Sequence, residues 1–131
     1  MNQPDSIAVA AILIGFGLTT IMFRVQRELY VREVKKEENW IAWADFLIFA
    51  SVLLVLLLIV VPLFAFSVQT FAPAASAAAF ILQAGYIPAI LAHYRIGIGK
   101  GRNVKGLVYK RGEPAEKWIV CVSGAIALLF F

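Results

Sequence analysis

Charge is missing from most of this chain. No Asp, Glu, Lys or Arg occurs between Asp5 and Arg24, between Asp45 and Arg95, or after Lys117. A soluble domain of 131 residues has too little interior to hide stretches of that kind. Charged residues make up 15% of the chain, against roughly 25% in an ordinary soluble domain. Cysteine and histidine occur once each, as Cys121 and His93. A single cysteine excludes an intramolecular disulfide and lacks the partners a metal site would need, and one His at a helix end is thin support for a haem. Cys121 lies within an apolar run and is expected to behave as a small buried hydrophobe. There is no Ser–His–Asp constellation and no H-E-x-x-H motif, so the sequence names no reaction, no cofactor and no metal.

What the chain does have is apolar length. Hydrophobic residues form 62% of it, in four runs separated by polar or charged segments. The first, residues 7–23, would extend about 26 Å as a helix. No basic segment precedes it and Arg24, Gln26 and Arg27 follow it, so it is expected to be an uncleaved membrane helix and not a signal peptide. No proline or glycine interrupts residues 24–38, and Arg24, Glu28 and Arg32 stand at i,i+4 spacing. The first helix is therefore expected to continue to about residue 38 and reverse near Asn39.

The second run, residues 41–66, would reach about 39 Å, longer than the ~30 Å hydrocarbon core, so a tilt or a bend near Pro62 is expected. Its aliphatic centre suggests a largely lipid-facing helix. The third, residues 72–94, is rich in alanine and contains Gly85. Small side chains let helix backbones approach closely, which places this helix at the centre. The fourth, residues 114–131, begins at Pro114, a favoured first-turn residue, and would extend about 27 Å. It is expected to cross the membrane, with a re-entrant segment as the alternative. The expectation is an all-α integral membrane protein, a single domain forming a four-transmembrane-helix bundle.

Its orientation follows from the basic residues. Five Lys/Arg follow the first run and seven follow the third, which accounts for all 12 in the chain. The positive-inside rule then places both charged loops in the cytoplasm and both termini outside, in the plasma (inner) membrane. Trp40, Trp43 and Trp118 flank those loops, where an aromatic belt belongs. The net charge of +4 thus reflects orientation and gives no reason to expect a nucleic-acid partner.

Asp45 is the acidic residue inside an apolar run, where a carboxylate is costly and calls for a partner. Depth along the helices brings Thr19, Thr20, Gln83, Tyr86, His93 and Ser123 to similar levels, and Thr19, Thr20, Ser123 and His93 are the expected partners of Asp45. Two readings remain open for this polar cluster: a proton or cation site titrating with His93, or an anchor that holds the helices together. The glycine-rich loop over residues 95–117 contains GIGKGR, but no Gly-Lys-Ser/Thr ending that would make a phosphate loop. Its Arg95, Lys100, Arg102, Lys105, Lys110 and Arg111 are expected to meet anionic lipid headgroups or a partner protein.

Residues 31–43 read VREVKKEENWIAW, a charged first loop entering the second helix. In length, helix count, orientation and this charged loop, the chain resembles the membrane-associated proteins of eicosanoid and glutathione metabolism. Asn39 and the upstream basic residues match that family's motif, whereas Ala42 stands in place of its Glu and no His precedes Asn39. The resemblance implies a trimer with a cytoplasmic glutathione site. The leading expectation is non-enzymatic: a structural, accessory or oligomer-forming subunit of a membrane complex. Its partners would be the lipid bilayer and further copies or other membrane subunits. The alternatives are a homo-oligomeric channel or transporter component using Asp45, and the glutathione- or lipid-using enzyme that the resemblance implies.

Overall fold

The computed structural model describes residues 3–35, 42–66, 70–93 and 114–131, giving backbone alone at 3, 4, 31, 32 and 35. It is all-helical among the described residues. Helix α1 spans Gln3–Lys35. Helix α2, Trp43–Val55, passes through a π-helical turn at Leu56–Val60 into α3, Val61–Phe66, making one continuous rod. Helices α4, Ala72–His93, and α5, Pro114–Phe130, complete the set. The stretches Asp5–Tyr30, Trp43–Phe66 and Ala72–His93 are long and apolar enough to cross a membrane. Helix α5 is shorter, at 17 residues.

Local chemistry accounts for these boundaries. Helix α1 starts at Gln3, earlier than residue 7, because proline is tolerated in a first turn and Asp5 suits the positive end of the helix dipole. Its expected continuation to residue 38 and the reversal near Asn39 lie outside the described residues beyond Lys35. The π turn directly precedes Pro62, whose ring would clash with the carbonyl four residues back and which has no N–H to donate. Widening the turn to i→i+5 bonding relieves that conflict: the Val61 N–H donates to the Leu56 carbonyl.

Consecutive helices run antiparallel, and named contacts fix their register. Arg24 of α1 meets Asp45 of α2, while a Cβ placed on Gly17 would lie 2.3 Å from Val52 Cγ2. Gln83 of α4 bonds Ser51 of α2. Along α4 and α5, His93 meets Glu116, Gly85 faces Ser123, and Phe71, just before α4, stacks with Phe131 at 6.4 Å. The pairs descend together, so α5 accompanies α4 from one end to the other.

Helix α4 packs most extensively against α5 and α2 and also touches α1. Its Ala72, Ala75, Ala78 and Ala79 are buried, and Gly85 leaves the space that Ser123 occupies. In α2, 39% of the apolar stretch is buried, close to the 44% of α4 and above the 22% of α1, so one face packs inward while the larger part stays uncovered. Its buried Ala44, Leu47, Ile48, Ser51, Val52 and Val55 form one face. Phe46, Phe49 and Leu53 are exposed on the other. Of these three stretches, that of α1 is the least covered.

Candidate functional site

The polar residues gather toward one end of the helices, but they sort into separate groups. The first lies between α1 and α2. Asp45 is the third residue of α2, and its Oδ2 accepts the Ala42 N–H at 3.1 Å. This is half of a capping box, since Ala42 has no side-chain oxygen to return the bond. Arg24 Nε donates to Asp45 Oδ1 at 3.2 Å, and Arg24 also pairs with Glu28 one turn on. Arg27, more exposed, approaches Glu28 at 3.5 Å. The partners expected for Asp45 are therefore replaced by a guanidinium and a backbone amide. Two bonds of that kind relieve the cost of placing a carboxylate near lipid.

This group edges a cleft of about 300 Å³ between α1 and α2. Helix periodicity explains how α1 lines it: Thr20, Arg24 and Glu28 form one i,i+4 row, and Ile21, Val25 and Leu29 form the row beside it. Asp45, Ile48 and Phe49 of α2 and Tyr86 of α4 complete the wall.

The second group ties α2, α4 and α5 together. Glu116, in the first turn of α5, is wholly buried. One carboxylate oxygen accepts the Ala44 N–H at 2.9 Å, and the other lies 2.9 Å from His93 Nδ1. The third group is deeper and uncharged: Gln83 Nε2 donates to the Leu13 carbonyl at 2.7 Å and to Ser51 Oγ at 3.2 Å. Ser51 Oγ donates in turn to the Ile48 carbonyl at 2.9 Å.

The predicted cluster is thus redistributed. Asp45, Thr20 and Tyr86 share the cleft, Gln83 joins α1 to α2, and His93 serves Glu116. Ser123 lies against Gly85, Thr20 donates back to the Phe16 carbonyl at 2.9 Å, and Thr19 is exposed. Depth set the level of each residue but not the side of its helix. Cys121 is corrected in the same way: it is exposed, not buried. Sequence reasoning missed Glu116, counted with the loop before it, although its place two residues after Pro114 marks a first helical turn. It also missed Arg24 as the partner of Asp45, although the i,i+4 pairing of Arg24 with Glu28 was legible. The loop residues Arg95, Lys100, Arg102, Lys105, Lys110 and Arg111, and Asn39 on which the family resemblance rests, lie outside the described residues. Among the described residues no group of three or more His, Cys, Asp or Glu side chains could hold a metal ion. Comparison of the chain with protein-family models, curated proteins and solved structures finds no match.

Proposed function

We propose that this chain is a multi-pass membrane protein that crosses the bilayer four times and serves as a structural or accessory, oligomer-forming subunit of a membrane complex. The observation that carries the reading is the internal engagement of its polar groups. Arg24 with Asp45 joins α1 to α2, Glu116 joins α2, α4 and α5, and Gln83 joins α4 to α1 and α2. Among the described residues, no buried side-chain nitrogen or oxygen lacks a hydrogen-bond partner. Side chains committed to holding helices together suit an anchor better than a titrating conduction path.

A fourth crossing by α5 is supported by its register along α4, from Glu116 beside His93 to Phe131 beside Phe71. Both termini then lie outside and both basic loops in the cytoplasm of the plasma membrane, where the loop cations meet anionic headgroups. A further copy or another subunit would pack against α1, which is less covered than the stretches of α2 and α4.

Native mass measurement on protein extracted in mild detergent tests this reading. A mass of several copies, or a stable complex with other membrane chains, is expected. A lone 14.4 kDa chain, unchanged by crosslinking in the membrane before extraction, overturns it. A second reading, a channel or transporter component, is favoured by one observation: Asp45 and Tyr86 line an open cleft and are not sealed among helices.

A further inference from the structure

We propose that the cleft between α1 and α2 binds the ammonium group of an amphiphile, with the apolar body of that molecule lying along the two helices. The proposal is independent of whether the protein is an accessory subunit. Its basis is the combination of volume, wall chemistry and acceptor oxygens at one place.

A volume of about 300 Å³ is at the lower end of small-molecule sites, enough for a headgroup and its first methylenes. The wall is two-sided. Ile21, Val25 and Leu29 run parallel to Thr20, Arg24 and Glu28, so a ligand with one apolar and one charged end fits the rows lengthwise. The charged end of the wall holds one guanidinium and two carboxylates, Glu28 and Asp45, with Arg27 balancing the charge from beside Glu28, so acceptor oxygens and not net charge favour a cation here. Arg27 contacts Glu28 but does not line the cleft. Arg24 and Arg27 both approach Glu28 at one carboxylate oxygen, Oε1, which leaves the other side of the carboxylate as an acceptor to be tested.

An anion entering here would meet two carboxylates and a guanidinium already paired with both. An ammonium would find an acceptor oxygen at Glu28, further lone pairs on Asp45, and the rings of Phe49 and Tyr86, whose faces attract cations. Two sources supply that chemistry: an ethanolamine phospholipid, whose phosphate would then reach toward Arg27, and a free alkylamine.

The test uses the full chain in dodecyl maltoside, titrated with dodecylammonium and, separately, dodecyl sulfate, with binding read by calorimetry. A parallel arm reconstitutes the chain in phosphatidylglycerol bilayers containing a minority of phosphatidylethanolamine and measures which lipid is retained on extraction. Saturable binding of the alkylammonium, or selective retention of the ethanolamine lipid, supports the proposal and identifies the source. Glu28→Gln and Asp45→Asn are each expected to weaken that binding about tenfold or more, the loss of one charge-assisted contact. Because Asp45 also caps α2, Val25→Phe provides a variant that fills the cleft and leaves every charge in place. It should abolish binding while helicity and native mass persist. Equal binding of dodecyl sulfate, binding indifferent to all three substitutions, or no binding in either arm overturns the proposal. The native mass of the unliganded protein is read separately, so failure here leaves the subunit reading to stand or fall on its own.

Discussion

Glu116→Ala removes a single carboxylate that serves three helices. The side chain is wholly buried, and both of its oxygens are engaged at 2.9 Å, one by the Ala44 N–H and one by His93 Nδ1. Alanine leaves the Ala44 amide without an acceptor at the start of α2, which costs about 1–3 kcal/mol. Loss of the hydrogen bond between the carboxylate and His93 costs a similar amount, so the two together reach about 3 kcal/mol, more than a hundredfold in the folding equilibrium. Glu116→Gln retains an oxygen for the amide and the same shape, so its loss should be smaller, about 1 kcal/mol. His93→Ala combined with Glu116→Ala should destabilise by less than the sum of the two, with a coupling of about 0.5–3 kcal/mol. Unfolding in mixed micelles of rising dodecyl sulfate fraction, followed by circular dichroism, gives each value. Trp43 is a second probe, because Lys117 of α5 lies 5.2 Å from its ring and the contact breaks when α5 leaves. The reasoning fails if Glu116→Ala stays within about 0.5 kcal/mol of the parent, or if the double substitution is simply additive.

Close helix contact makes volume the next sensitive variable. Leucine at Gly85, where even a Cβ would lie 2.2 Å from Ser123 Oγ, or at buried Ala78, should lower folded yield far more than Leu56→Ile at a half-exposed site. Equal yields of the three variants in detergent would show that α4 is not tightly held. A reporter active only outside the cytoplasm should work when fused after Phe131 and fail when fused near Lys105. Activity at Lys105 would reverse the proposed orientation.

The helices were legible because apolar length alone marks a membrane-capable segment, whatever side each residue takes. That is also why the sides were not legible. The second run is aliphatic all round, and nothing in SVLLVLLLIVV distinguishes Val52 and Val55, which are buried, from Leu53 and Leu57, which are exposed. Alanine in the third run was more informative, since a methyl side chain gains little from lipid and much from a close neighbour. Among the candidate residues, depth assigned Asp45 to the charged end but could not decide between Thr19 and Thr20, adjacent residues about 100° apart around α1. Glu116 was hidden by company: it follows a run of basic and glycine residues, yet its own position in a first turn points it inward. Depth alone pointed Asp45 toward Thr19, Thr20, Ser123 and His93, and it passed over Arg24 at the end of the apolar run. The long apolar stem of Arg24 allows it to lie along the helix surface.

The π turn before Pro62 has a consequence for rotational phase. In an uninterrupted α-helix, eight residues advance two turns and roughly 80° more, so Leu63 would have drifted well away from the face of Val55. Val55, Ile59 and Leu63 are nonetheless all buried. The wide turn holds one residue more than an α-turn, and absorbing it takes back roughly 100°, which returns the outer half of the rod to the alignment of the inner half. A proline that would otherwise misdirect the last turn and a half thereby leaves the same stripe facing inward along the whole rod. It also makes the two halves unequal toward changes in length. Loss of one residue from 56–60 restores an ordinary α-turn with both stripes still aligned, whereas gain of one turns Leu63 toward lipid.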